Sequence, residues 1–219
     1  MKNVIIAGAG GMIGKLILEN CLHQPEVNRI TSIVRKSSGI KHQKLIEVIH
    51  EDFSDFENIA TYFKDQEICF YCIGVYTGAV GREEFRKITV DFTQAFAKML
   101  KKQNQDMRFC FLSGAGADPT GKSRLMFAKD KGIAEKFLME LNFTGLHIFR
   151  PAYIYPVTKR KEPNLMYRIM RVLYKPILSK IYPNGGISSE ELANVMTEVG
   201  IHGGDKIIYE NKDIRELIS

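Results

Sequence analysis

Asn3-Val4-Ile5-Ile6-Ala7-Gly8-Ala9-Gly10-Gly11-Met12-Ile13-Gly14 passes from an apolar, β-branched run of strand length straight into a glycine cluster. An apolar-periodic segment, from Met12 to Leu22, begins directly behind it. That order predicts a strand, a tight turn and a helix. Such a turn suits a pyrophosphate, because bare backbone lets phosphates approach and a helix N-terminus offers N–H groups and a positive dipole end. Glycines also crowd ordinary turns, so the argument rests on their place immediately after a first strand.

Outward from this turn, strands and helices alternate. Strands are expected over residues 3–7, 30–34, 45–49, 67–73, 107–112 and 144–149, and helices over 11–23, 56–63, 83–102 and 123–141. Repeated βα order predicts an α/β, Rossmann-like, doubly wound parallel sheet of about seven strands with helices on both faces. Residues 1–219 read as one NAD(P)-binding domain, and the rhythm breaks after Arg150-Pro151 into a small substrate or partner lobe over residues 151–205. There Ser188-Ser189-Glu190-Glu191 opens a helix to about residue 199, with Ser188 or Ser189 able to cap it. A short strand over 206–209 and a terminal helix finish the chain.

The hydrophobic content of 45% supports a sizeable core. No apolar run approaches the ~18 residues of a membrane span, and the N-terminus reads as a core strand rather than a signal layout. Cys69 and Cys72 form a C-x-x-C on an expected strand, where residues three apart face opposite ways, so buried thiols in a reducing, cytoplasmic setting are expected rather than a redox pair. The five histidines show no ligand spacing, and no metal site is expected. The net charge of +6 is local: residues 158–182 hold seven basic residues against the single acid Glu162, and the rest of the chain balances. This distribution excludes a global nucleic-acid footprint.

Three places at strand ends invite chemistry. Strand two runs into Arg35-Lys36, and no acid stands between residues 28 and 44. An acid near this point suits the ribose 2′-hydroxyl of NAD and a basic residue the 2′-phosphate of NADP. The pair therefore favours NADP(H) over NAD(H), the plainer reading being a solvated basic loop. Asp52, after strand three, either accepts from an adenine amino group or caps the helix near Phe56. Cys72-Ile73-Gly74 ends strand four, where Gly74 lets the backbone pass close to a ribose.

The spacing of Gly8, Gly11 and Gly14 resembles the short-chain dehydrogenase/reductase superfamily in its atypical branch. Within that branch the chain is similar to the Tat-interacting, NADPH-binding tumour-suppressor family and its bacterial relatives. The shared motifs are Cys72-Ile73-Gly74, Val90-Asp91, Leu112-Ser113-Gly114-Ala115-Gly116-Ala117-Asp118, Phe149-Arg150-Pro151 and Glu210-Asn211-Lys212-Asp213-Ile214. The resemblance implies cofactor contacts from Gly8, Gly11, Met12, Ile13, Gly14, Arg35, Lys36, Asp52, Phe53, Cys72, Gly74, Lys131 and Pro151. It also implies a catalytic Ser followed by Tyr-x-x-x-Lys, with an Asn on the preceding helix. These fall on Ser113, on Phe127 and Lys131, and on Asp91. The tyrosine is thus a phenylalanine. Residues 127 and 131 share a helix face, but a phenyl ring has no proton to exchange, and a positioned general acid contributes about 10²–10⁴ in rate.

Two function classes follow from the resemblance. One is an NADPH-dependent oxidoreductase of a small carbonyl-type substrate, with Tyr76 or Tyr153 as substitute proton donor. The other is a non-catalytic NADP(H)-binding redox sensor acting through a protein partner. The basic segment 159–180 carries an amphipathic pattern from 163 to about 174. It suits a lid helix, an anionic membrane surface or an acidic protein partner, with nucleic acid least favoured. A monomer or a homodimer is expected.

Overall fold

The computed structural model describes residues 1–157 and 185–218. Strand β1 (Lys2–Ala7) is the pivot. Val4, Ile5, Ile6 and Ala7 are all fully buried, as a strand must be when helices cover both faces of its sheet. Side chains alternate between the faces: Val4 and Ile6 enter one core with α1 (Met12–His23), and Ile5 and Ala7 enter the other.

The further strands are β2 (Val27–Val34), β3 (Leu45–Ile49), β4 (Ile68–Tyr71), β5 (Arg108–Leu112), β6 (Gly145–Arg150), β7 (Tyr153–Tyr155), β8 (Gly186–Ser188) and β9 (Ile208–Glu210). Seven make one sheet in the order β3-β2-β1-β4-β5-β6-β9, with every pair parallel. β7 and β8 pair separately, also in parallel. The strand order reverses between β1 and β4, and ligands of open α/β sheets bind beyond the carboxyl ends at such a switch point.

One face is covered by α1 and by a late helix, the other by the middle helices. The single helix expected over 83–102 is three pieces: α2 (Arg82–Arg86), a π turn (Lys87–Asp91) and α3 (Phe92–Gln103). The wide turn takes up an extra residue, so that Phe85, Thr89, Val90, Thr93 and Phe96 all reach the core. α4 (Met126–Glu140) starts later than expected, because Asp118 accepts the N–H groups of Thr120 and Ser123 and holds that stretch as a turn. The segment 56–63 winds as a 3-10 helix, Glu57–Phe63. α5 (Ser189–His202) is capped by Ser188, not Ser189, in a reciprocal box with Glu191. α6 (Asn211–Glu216) ends the described chain.

The strand expected over 67–73 is trimmed to β4, and the chain leaves the ladder after the Cys72 N–H bonds Ala7 O at 2.8 Å. Cys69 and Cys72 then face opposite cores. All four cysteines are free thiols, and burial pushes Cys21 and Cys72 up to about 12. No helix among the described residues is long and apolar enough to cross a membrane. The basic segment 159–180 and the helix expected from 163 lie outside the described residues.

Candidate functional site at the carboxyl edge of the sheet

The turn after β1 is built by what its glycines lack. Gly8 has φ of +91°, and a Cβ there would stand 2.8 Å from the carbonyl carbon and oxygen of Cys72 at the end of β4. A Cβ on Gly14 would stand 2.2 Å from Gly8 O, so helix α1 can seat against the turn only if residue 14 is glycine. Gly11 N–H bonds Gly8 O at 2.9 Å and begins α1 with no capping side chain. Gly10 and Gly74 both front open space. Tight turn, uncapped helix start and bare surroundings fit a pyrophosphate. Ile13 packs into the core beneath this turn and Met12 lies against it.

Beyond β2, Arg35 and Lys36 are exposed. Asp52 is exposed too, and its Oδ1 accepts Ser54 N–H at 2.9 Å. These hydrogen bonds from Ser54 hold its carboxyl below the ordinary range. The helix-cap alternative for Asp52 is not realised, since Asp55 Oδ1 takes Glu57 N–H at 2.9 Å instead. The Phe53 ring is buried, edge-on to Phe56 at 5.6 Å.

At the end of β5 the site is made of side chains. Phe127, Lys131 and Glu135 recur every fourth residue along α4 and form one stripe. Phe127 lays its ring on Gly114, where a Cβ would stand 2.5 Å from the ring's Cζ. Lys131 Nζ donates to Leu112 O at 2.9 Å and lies 4.9 Å from the centre of the Phe111 ring. Ser113 Oγ donates to Glu135 Oε1 at 2.5 Å. Three turns of helix thus meet residues 114, 112 and 113. Burial lowers Lys131 to about 8, against the pull of Glu135 and Cys72.

Glu135 is fully buried and is held by Arg150, whose Nε and Nη2 reach its two oxygens at 3.0 and 2.5 Å. Arg150 Nη1 reaches Glu210 at 2.8 Å. Glu135 and Glu210 hold the guanidinium above its ordinary range. Burial of this kind needs such pairing, because an unpartnered charge in the interior is very costly. Pro151 is buried and its carbonyl accepts Ala115 N–H at 2.9 Å, which ties the loop after β6 to the loop after β5. Asn211 Oδ1 takes Ala152 N–H at 3.0 Å, so the Glu210-Asn211 motif braces the end of β6 and the loop after it.

Sequence reasoning missed Glu135 and its neighbour Asp130. Asp130 is fully buried and carries a two-bonded ion pair with Arg82 and a second contact to Arg86 at 3.8 Å, clamping α2 to α4. The spacing of Glu135 four residues beyond Lys131 was the available signal. Asp91 closes the π turn and is exposed; Tyr76, on the loop after β4, and Tyr153, the first residue of β7, are half-buried.

The opposite, amino-terminal edge holds hollows of about 250 and 280 Å³. Two of the cations lining them are engaged: Lys2 Nζ donates to Ile201 O at 2.6 Å and Arg108 Nη1 to Gly200 O at 2.5 Å. They close the electronegative end of α5. Among the described residues no group of three His, Cys, Asp or Glu side chains could hold a metal ion.

A seven-stranded parallel sheet with a glycine turn at its switch point defines a dinucleotide-binding Rossmann-like protein. A family profile described as NAD(P)H-binding matches residues 8–199, and the chain belongs to that family, as an atypical short-chain dehydrogenase/reductase. The rat protein HTATIP2 is 30% identical over 155 residues, 70% of this chain and 63% of its own length. The chain therefore spans less than two thirds of that relative. Protein fmp52 of Emericella nidulans, named as mitochondrial, is 27% identical over 214 residues, 95% of this chain and 89% of its own. The Bordetella bronchiseptica enzyme WbmH, solved in complex with NAD+, shares the fold with a TM-score of 0.70 at 17% identity, covering 95% of this chain and 74% of that one.

Proposed function

We propose that the chain is an NADPH-dependent oxidoreductase of a small carbonyl-type substrate. The observation that carries this is the α4 stripe, which sets Lys131 against the end of β5, two strands from the glycine turn. The bound cofactor would supply the hydride. The turn from Gly8 to Gly14, with Met12 and Ile13, seats its pyrophosphate, and Arg35 and Lys36 attract its 2′-phosphate. Asp52 and the Phe53 backbone flank the adenine. Cys72, Gly74 and Pro151 border the rest, and Lys131 donates to the nicotinamide ribose hydroxyls.

Phe127 stands where a tyrosine would hold the exchangeable proton, and the Ser113 hydroxyl proton is already given to Glu135. The proton for the substrate oxygen then comes from Tyr76, on the loop after β4, or Tyr153, which opens β7 just after β6; β4 and β6 flank β5. Assay of NADPH consumption against aldehydes and quinones tests this. Turnover that survives both Tyr76→Phe and Tyr153→Phe would remove the tyrosines from the mechanism.

The missing hydroxyl at residue 127 favours a second reading, in which the protein binds NADP(H) without turnover and reports its redox state to a partner. The basic segment 159–180 is then the surface offered to an acidic protein or an anionic membrane, and residues 151–205 form the partner lobe of a monomer or homodimer. Sedimentation with anionic vesicles separates these two surfaces, since only the membrane reading expects lipid-dependent pelleting. A cytoplasmic setting is supported by the four free thiols.

A further inference from the structure

No acid lies near the end of β2 in the sequence, but the fold brings one there from the neighbouring strand. Glu47 sits on β3, paired in register with Ser32. Its Oε2 accepts the Ser37 hydroxyl at 2.6 Å, and Oε1 and Oε2 accept the Ser38 N–H at 3.1 and 3.2 Å. The two serine oxygens in turn accept the N–H groups of Gly39 and Ile40, each at 3.1 Å, which fixes the loop as a small cup. Just before it stand the exposed cations Arg35 and Lys36.

A serine hydroxyl, a backbone N–H and two cations in succession are a donor set suited to a phosphate monoester. Here a carboxylate of the same chain holds the first two. Partial burial works against the Glu47 charge, but the hydrogen bonds from Ser37 and Ser38 outweigh it and hold the carboxyl below its ordinary range.

We propose that Glu47 is a specificity-determining residue that occupies the 2′-phosphate seat from within. The proposal rests on the dinucleotide reading above. A 2′-phosphate arriving here competes with Glu47 for the Ser37 and Ser38 donors and meets its negative charge. A 2′-hydroxyl leaves those bonds intact and finds an acceptor. Arg35 and Lys36 therefore draw NADP(H) in while Glu47 restrains it, and the protein accepts both dinucleotides with a modest preference for NADPH.

Fluorescence titration of wild type and Glu47→Gln with NADPH and with NADH tests the proposal. Glutamine keeps an acceptor and removes the charge. The expected result is a Kd for NADPH lowered about five- to tenfold by the loss of one opposing charge, with NADH changed less than about twofold. Glu47→Asp, whose carboxylate is one carbon shorter, tightens NADPH by a smaller factor and confirms the direction should the first variant fold poorly. Parallel shifts for both dinucleotides, or no gain for NADPH, would make Glu47 a loop brace and overturn the proposal alone. Absence of binding by either dinucleotide to wild type and variant alike would overturn the dinucleotide reading, and this inference with it.

Discussion

At the β1–β2 end the candidate site is backbone: a glycine at φ +91°, a helix start without a cap and two exposed cations. At the β5–α4 end it is side chain: Ser113, Lys131 and Glu135 are all nearly or fully buried, Ser113 and Glu135 are joined through Arg150 to Glu210, and Lys131 is held on Leu112 O. The first end tolerates change wherever the backbone path is kept. The second is a charged network in the interior, where each member compensates another and one deletion strands its partners. The proposed nucleotide seat and the proposed reaction site thus rest on separate physical means, so a phenylalanine at residue 127 leaves the glycine turn unaltered.

The contrast breaks most visibly at Glu135. Glu135→Ala leaves the Arg150 guanidinium facing a buried gap, and a loss of about 3–5 kcal/mol in urea unfolding is expected. A loss below about 1 kcal/mol would mean that the network is ornamental.

Lys131 gives the next largest effect, through pH. Its folded value near 8 lies below the ordinary 10.5, so the unfolded chain binds more protons between those values and stability rises with pH across that window. Relative to Lys131→Met, wild type should gain roughly 2–3 kcal/mol from pH 7 to pH 10.5. A flat difference would place the ammonium in solvent. At the backbone end, Gly14→Ala forces a methyl onto Gly8 O, and about 1–3 kcal/mol is expected from thermal melts, with weaker NADPH binding than wild type.

The smallest expected effect sharpens the choice between the two functions. Phe127→Tyr should raise NADPH consumption about 10- to 100-fold if the catalytic frame is otherwise intact. No gain, with Lys131 still supporting binding, would favour the sensor.

The backbone end was legible in the sequence because glycine spacing is local and has one structural meaning there. Lys131 was picked out only by the resemblance, whose Tyr-x-x-x-Lys pattern falls on residues 127 to 131. Glu135, Asp130 and Glu47 were not legible, since each acts on residues 9 to 48 positions away, Ser38, Ser113, Arg82 and Arg150 among them, that only the folded sheet brings near. The apparent lack of an acid near Arg35 was true of the chain and untrue of the fold. The helix-cap alternative for Asp52 failed for the opposite reason: its carboxylate is taken by Ser54 N–H only two residues on.

Titrating the purified protein with NADPH and NADH by fluorescence tests the central claim most directly. Saturable binding of both, tighter for NADPH and abolished by Gly8→Val, is the expected result. No response to either dinucleotide would contradict it and leave the glycine turn as a structural corner alone.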